Sequence, residues 1–158
     1  MRKRIIPTAQ QQPPQLPDEG WLDLERLADV ELTSEDSAYP IESALLPISG
    51  SGWRAATAGV QTIRLVFTIP QQICRIRLEF VEPVTERTQQ FVLRWSADGG
   101  KSFREIVRQQ WNFSPHGARQ ETEDYHVDLS DVSMFELNII PDMSGGDARA
   151  SLARLCLA

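Results

Sequence analysis

Cysteine and histidine are scarce in this sequence, and their scarcity excludes several classes of site. The chain has two cysteines, Cys74 and Cys156, and two histidines, His116 and His126. A metal site needs several such ligands at short spacing, and none of these residues has a partner at that spacing. We therefore predict no metal and no cofactor. Both cysteines are expected to be buried or half-buried free thiols, with a disulfide between them as the alternative.

Catalytic motifs are also missing. Neither histidine lies in a nucleophile or metal motif, and His126 is expected on the outer face of a strand. The nearest approach to an acid–base pair is the group Glu121, Glu123 and Asp124. A glycosidase needs two carboxylates flanking a bond, but acidic runs of this kind are typical of solvated strand edges. The sequence predicts a protein that is not an enzyme.

Excess positive charge and long apolar runs are absent. The net charge is -6, which argues against non-specific nucleic-acid binding because such binding needs clustered lysine and arginine. No apolar run approaches the roughly 20 residues of a membrane span. The basic start Met1–Arg4 is followed by glutamine and proline rather than by a hydrophobic segment, so we expect no signal peptide and a cytoplasmic protein.

The domain organisation follows from composition. Residues 1–18 are rich in glutamine and proline, and this predicts a flexible tail. Residues 19–158 are expected to form one domain, since their number suits a single hydrophobic core.

Short runs that alternate between apolar and polar residues dominate that domain. Turn residues separate the runs, a pattern typical of half-buried strands in a β-sandwich or barrel. We expect the first strand at Trp21–Glu25 or Val30–Leu32, and its late partner should bring the chain termini together. One helical turn is expected within Pro40–Leu46. The alternating runs are Ile63–Ile69, Arg75–Phe80, Phe91–Trp95, Tyr125–Leu129, Phe135–Ile139 and Leu155–Leu157.

The most informative segment is a predicted hairpin. It combines a strand over Gln89–Trp95, a turn at Ser96–Gly100 and a return strand over Phe103–Gln109. The glycines of the turn permit positive φ. The following residues, Gln110–His116, are expected to form a loop rich in aromatic and amide groups, which is typical of a recognition site on a β scaffold.

This hairpin gathers our candidate binding residues. If it closes at Asp98–Gly99, residues near 89 lie opposite residues near 110, so their side chains can converge on one ligand. A tryptophan face stacks on a pyranose, while arginine and amide groups bond its hydroxyls. The candidates are Arg87, Gln89, Arg108, Gln110, Trp111, Asn112 and His116.

Structural roles are open alternatives for the same residues. Trp111 and Phe113 are equally consistent with capping the core, and His116 with a solvated loop position. Arg87 and Arg108 can instead form ion pairs with Glu86, Glu121 or Glu123. Trp53 is expected to pack beneath the loops without touching ligand.

Three segments in order carry a resemblance to a known family. They are Leu32–Ser37 leading to Trp53–Ala56, then Gln61–Phe67 with Ile73–Phe80, and finally Phe91–Trp95 with Ser96–Phe103. Together they resemble a discoidin (coagulation-factor type C) domain of the galactose-binding-like superfamily, over Trp21–Leu157. The resemblance implies an all-β jelly-roll sandwich of about eight antiparallel strands. It leaves the ligand open, because members bind sugars, phospholipid head groups, peptides or proteins.

Two further expectations depend on this resemblance. Thr33–Ser37 and Trp53–Gly59 are also similar to the amino-terminal domain of the X-ray-repair cross-complementing scaffold protein, which engages a repair polymerase and gapped DNA. Discoidin-like sugar binders often hold calcium with an aspartate shortly before the tryptophan, but the matching stretch Leu45–Gly50 has no carboxylate. Only Glu35 and Asp36 remain as candidate calcium ligands.

The sequence thus favours a non-catalytic module that recognises a carbohydrate or a similar polyhydroxylated ligand through loops at one end of a sandwich. A protein–protein interaction or scaffold module is the main alternative, and a binder of nicked or gapped DNA is a weaker one.

Overall fold

The computed structural model describes residues 20–48 and 50–158, so the predicted tail 1–18 lies outside the described residues. These described residues form two short helices and eight strands. In order they are α1 Leu24–Leu27, β1 Ala28–Leu32, α2 Glu42–Leu45, β2 Trp53–Arg54, β3 Gln61–Val81, β4 Arg87–Ser96, β5 Arg104–Phe113, β6 Gln120–Ile140, β7 Ser151–Leu152 and β8 Arg154–Leu157. Neither helix has the length or apolar character that a membrane crossing requires, within the described residues.

Two long bent strands generate both layers of the sandwich. The first half of β3 pairs with β1 and with the second half of β6, while its second half pairs with β8 and the first half of β6. The β3–β6 register slips between Val66 and Arg75, where both strands bend. The result is a layer of order β1-β3-β6-β4-β5 facing a layer of order β8-β3-β6.

The core lies between these layers. Alternate residues of the strands point inward, as the period-two pattern predicts. The stacked rings of Phe80 in β3 and Phe91 in β4, with centroids 5.3 Å apart, join the two layers. Trp53 is buried, and its indole Nε1 donates to the Ser34 carbonyl at 3.1 Å. This confirms the predicted structural role of Trp53 beneath the loops.

Several predicted elements are confirmed. The helical turn is α2, and all pairs between strands are antiparallel. Both turn glycines have positive φ, 74° at Gly99 and 91° at Gly100. The start and end of the fold are close, because the backbone N–H of Leu22 donates to the Leu157 carbonyl at 2.7 Å.

Other predictions were wrong. Trp21–Glu25 is not a strand, since α1 begins at Leu24, whereas the alternative first strand at Val30–Leu32 is confirmed within β1. β1 pairs with β3 rather than with a late strand. Ile69 does not share the buried face of Ile63 and Leu65; it is 67% exposed because β3 bends there. Cys74 is an exposed free thiol, because its neighbour Ile73 takes the core-facing position.

The predicted loop Gln110–His116 also needs correction. β5 continues to Phe113, so only Ser114–His116 belong to the loop. The strand is longer because Trp111 and Phe113 alternate onto the inner face and continue the ladder opposite Gln89 and Arg87.

Candidate functional site

Four connecting segments meet at one end of the sandwich. Strand directions place the segments 33–60, 82–86, 114–119 and 141–150 at this loop end. The start and end of the fold lie at the opposite end, where Leu22 bonds to Leu157. The loop end is thus the region where long segments can vary without disturbing the sheets.

A polar cleft of about 440 Å³ opens at the loop end, between β4, β5 and the segment 141–150. This volume falls in the range of small-molecule sites. The cleft is lined by Glu86, Arg87, Thr88, Asn112, Phe113, Ser114, Asp142 and Ser144. We call it the loop-end cleft.

The rim of the cleft is held by short hydrogen bonds. The Thr88 hydroxyl donates to Asn112 Oδ1 at 2.7 Å, and the backbone N–H of Met143 donates to the Thr88 carbonyl at 2.8 Å. The hydroxyl and backbone N–H of Ser144 both donate to Asp142 Oδ1, at 2.7 and 3.0 Å. These bonds fix the direction in which the remaining polar atoms point.

The fixed rim leaves complementary groups for a ligand. The Asn112 amide has no acceptor for its Nδ2 hydrogens within the described part of the chain. Asp142 Oδ1 accepts both bonds from Ser144, so Oδ2 has room for a ligand, although the Thr88 backbone N–H also helps to lower the pKa of this carboxyl. The hydrogen bonds from Ser144 lower the pKa of Asp142, so this carboxyl is ionised at neutral pH. An amide donor beside a carboxylate acceptor suits a ligand with neighbouring hydroxyl groups.

Arg87 forms the base of the cleft, and its side chain is only 1% exposed. Its Nε donates to Glu82 Oε1 at 2.8 Å, while Nη1 donates to the Pro141 carbonyl at 2.7 Å and to Gln89 Oε1 at 3.1 Å. The guanidinium also lies 4.9 Å from the centre of the Phe113 ring. These contacts tie β4 to the segments on both sides of the cleft.

Glu82 neutralises the charge of Arg87. Burial alone raises the pKa of this carboxyl, but bonds from Arg87 and from the backbone N–H groups of Thr85 and Val84 outweigh burial and lower it. The pair is therefore ionised, and the cleft floor carries little net charge. Among the described residues that line the cleft, the other charged groups are the carboxylates of Glu86 and Asp142, and neither forms an ion pair there, although the positive charge of Arg87 helps to lower the pKa of Asp142.

Gln89 and Trp111 face the interior of the sandwich. They lie opposite each other in the β4–β5 ladder, Gln89 is fully buried, and the Trp111 ring packs against the core. Gln89 Nε2 donates to Glu121 Oε1 at 3.4 Å across the layers. These contacts support the structural alternative for Trp111.

A second polar group surrounds Gln89 inside the sandwich. Glu121, Glu123 and Tyr125 alternate along the inner face of β6. Burial and the neighbouring Glu123 raise the pKa of Glu121 to about 8, and burial raises that of Tyr125 further above its usual range. Three buried polar atoms here find no partner among the described residues: Trp111 Nε1, Glu121 Oε2 and Tyr125 Oη.

The remaining candidates lie on the outside. Arg108, Gln110 and Asn112 share the outer face of β5, and Gln110 Nε2 donates to Gln90 Oε1 at 3.1 Å. Arg108 pairs with Glu105 at 2.7 Å rather than with Glu86, Glu121 or Glu123. His116 is exposed in the segment 114–119. Six of the seven predicted residues are thus divided between the two faces of the sheet, His116 lies in the loop, and only Arg87 and Asn112 line the cleft.

Six residues of the cleft lie outside the predicted candidates, and three of them, Thr88, Asp142 and Ser144, make the hydrogen bonds of the rim. The pattern Asp142-x-Ser144 followed by two glycines is a turn signal in which the aspartate accepts from the serine, and this could have drawn attention to the segment. Its position beside β4 depends on the β4–β6 ladder, which the sequence does not reveal. In the described part of the chain, no cluster of three or more histidine, cysteine or acidic residues is placed to hold a metal.

No protein family model and no curated protein matches the sequence. Solved structures do match. A pectin-binding carbohydrate-binding module is 16% identical and superposes with a TM-score of 0.55 over 84% of this chain and 90% of its own. The family 32 module of Clostridium perfringens NanJ, solved with galactose, is 15% identical with a TM-score of 0.55, over 82% of this chain and 92% of its own.

A third match is the Clostridium perfringens module CpGH89CBM32-4, solved with GlcNAc-α-1,4-galactose. It is 12% identical with a TM-score of 0.61, over 88% of this chain and 94% of its own. At such low identity the likeness concerns the fold. It confirms the predicted jelly-roll β-sandwich and, at the level of fold, the resemblance to galactose-binding-like domains: this chain has the fold of the family 32 carbohydrate-binding modules.

Proposed function

We propose that this protein is a non-catalytic carbohydrate-binding module whose ligand binds in the loop-end cleft. The main support is the rim of the cleft, where the Asn112 amide and the Asp142 carboxylate are held by Thr88 and Ser144 with one donor and one acceptor left over. The solved structures with this fold include modules bound to galactose and to GlcNAc-α-1,4-galactose.

The charge of the cleft selects among sugars. Glu82 cancels the charge of Arg87, so the carboxylates of Glu86 and Asp142 dominate the entrance. These carboxylates repel an acidic sugar, and the buried Arg87, which is already paired with Glu82, attracts a ligand carboxylate only weakly. The cleft therefore favours neutral hexoses and amino sugars over uronic acids.

We expect a modest affinity for a single sugar. The only aromatic ring in the cleft lining is Phe113, which is 1% exposed and cannot present its face to a pyranose. Binding then depends on hydrogen bonds made in competition with water, each worth about 1 kcal/mol. We expect a Kd near the millimolar range, which longer oligosaccharides improve by contacting Gln110 on the outer face of β5.

Thermal unfolding with added sugars tests the proposal. With about 10 mM ligand and a Kd of about 1 mM, the fold gains roughly 1.4 kcal/mol, which raises Tm by about 3–6 °C in a domain of this size. Galactose, N-acetylgalactosamine and glucosamine should stabilise, and galacturonic acid should not.

Asn112→Ala supplies the site test, and Arg108→Ala, exposed on the same outer face of β5, is its matched control. Asn112→Ala should abolish the stabilisation by sugar while leaving the Tm of the free protein nearly unchanged, since Asn112 is exposed. A flat response to every sugar, or a response unaffected by Asn112→Ala, would contradict the proposal. Binding of gapped DNA that weakens steeply with salt would support nucleic-acid recognition instead.

A further inference from the structure

The edge strand β1 has an open side. β1 pairs with β3 through Ala28–Leu32, and no strand of residues 20–48 and 50–158 pairs with its other side. In an antiparallel ladder, alternate residues direct their N–H and C=O groups away from the partner strand. β1 therefore presents backbone donors and acceptors that another strand can use.

An apolar groove of about 380 Å³ runs along this open side, between β1 and the two helices. Val30 and Leu32 form one wall, opposite the core residues Leu65 and Ile63 in the β1–β3 ladder. The other apolar lining residues are Leu24, Ala28, Ile41, Leu45 and Leu46. The groove and the open side of β1 together are called the β1 groove below.

Four carboxylates surround the β1 groove, and its described lining residues include no cation. They are Glu25, Asp29, Glu35 and Glu42, all exposed. None of the four has an ion-pair partner within the described residues. Glu35 accepts from the Ile41 backbone N–H at 2.6 Å, while the other three accept no bond from the described chain. An apolar floor with an uncompensated acidic rim calls for a basic ligand with apolar side chains.

We propose that the β1 groove binds an extended peptide strand of a partner protein in which basic and apolar side chains alternate. Such a strand continues the sheet beyond β1. Its inward side chains lie beside Ala28, Val30 and Leu32 on the apolar floor, and its outward side chains lie beside Asp29. The backbone ladder supplies affinity, and the alternation of charge and apolar groups supplies specificity.

The same charges argue against a second copy of this chain as the occupant. Pairing β1 with β1 of another molecule would bring the acidic residues of both rims together, and like charges directly opposite are destabilising. A basic strand instead places a positive charge near each carboxylate, which is a favourable interaction. This proposal is independent of sugar binding, because the β1 groove and the loop-end cleft share no residue.

The test uses the full chain and a synthetic heptapeptide that alternates lysine and valine, with binding measured by calorimetry. We expect a Kd of about 0.1–1 mM at low ionic strength, weakening as salt screens the exposed charges. Glu25→Gln, Asp29→Asn and Glu42→Gln combined should weaken binding about fivefold, since exposed pairs contribute a few tenths of a kcal/mol each. The matched control combines Glu105→Gln, Asp131→Asn and Asp147→Asn, which neutralise three exposed carboxylates elsewhere.

A second peptide separates strand addition from simple charge attraction. In an extended peptide, alternate backbone N–H groups point to opposite edges, so alternate N-methylation can block either one edge or the other. The peptide methylated on the edge that pairs with β1 should lose binding, and the peptide methylated on the other edge should keep it. The proposal fails if no peptide binds at about 2 mM in low salt, if both triple variants weaken binding equally, or if both methylated peptides bind as well as the parent.

Two further results would assign the groove to a different occupant and so overturn the proposal. Neutralising Arg2, Lys3 and Arg4 should leave peptide affinity unchanged, whereas a rise would mean that the chain's own basic segment competes for the groove. A dimer in sedimentation experiments that the peptide dissociates would mean that a second copy is the natural occupant.

Discussion

Glu121 makes stability depend on pH in the direction opposite to most carboxylates. It is fully buried, its Oε1 accepts from Gln89, and its Oε2 has no partner within the described chain. Burial and the neighbouring Glu123 raise its pKa from 4.5 to about 8. Protonation of Glu121 removes the buried charge and gives the carboxyl a further partner, because the neutral acid can donate a hydrogen bond to Glu123. We therefore expect the folded protein to hold this proton at neutral pH.

The sign of the effect follows from proton linkage. Between pH 4.5 and 8 the folded state binds a proton that the unfolded state has lost, so the free energy of unfolding decreases as pH rises through this range. The difference between a folded-state pKa of about 8 and the ordinary value of 4.5 limits this loss in the free energy of unfolding to roughly 5 kcal/mol. Because the buried site can relax when Glu121 ionises, we expect about 2 kcal/mol.

Glu121→Gln tests this reasoning. The amide keeps the acceptor for Gln89 and donates to Glu123 as the protonated acid does, but it cannot ionise. Urea unfolding should show similar stability for variant and wild type near pH 4, below the unfolded pKa of Glu121, and a variant more stable by about 2 kcal/mol near pH 9. Glu105→Gln, on the exposed surface, is the control and should track the wild type. Parallel pH curves for Glu121→Gln and wild type would refute the argument.

Three more predictions concern stability and use the same urea assay. Arg87→Ala should cost about 3–5 kcal/mol because it leaves the Glu82 carboxylate buried without its counter-ion, and a loss under 1 kcal/mol would contradict the buried ion pair. Gly52→Ala should cost more than about 1 kcal/mol, since φ is 82° and the new Cβ would lie 2.4 Å from the Leu152 carbonyl; an unchanged midpoint would contradict this. Trp111→Phe should change stability by less than about 1 kcal/mol, because the lost Nε1 has no partner within the described chain, whereas a loss of 3 kcal/mol would indicate a hidden bond.

The fold could be predicted from the sequence where local pattern and tertiary environment agree. Ile63 and Leu65 alternate with polar residues, and both face the core as expected. The pattern fails where a strand bends: Ile69 continues the alternation but lies at the β3 bend and is exposed. Nothing in the local composition marks that change of direction.

The candidate site was harder to predict because a strand residue faces one side or the other according to register. A shift of one position moves a side chain to the opposite face. Trp111 and Asn112 are neighbours in sequence, yet Trp111 packs against the core and Asn112 lines the cleft. Arg87 resembles a ligand-binding group in the sequence, but the burial that Glu82 and Pro141 impose on it arises only in the folded chain.

Titration of the ¹⁵N-labelled protein with galactose, followed by two-dimensional NMR, tests the central claim most directly, because it locates binding as well as detecting it. We expect the shifts at up to about 50 mM galactose to be confined to the loop-end cleft, with the amides of Thr88, Asn112 and Ser144 among those that move. Shifts centred on the opposite end of the sandwich or on the β1 groove would contradict it, as would a spectrum that galactose, N-acetylgalactosamine and glucosamine all leave unchanged.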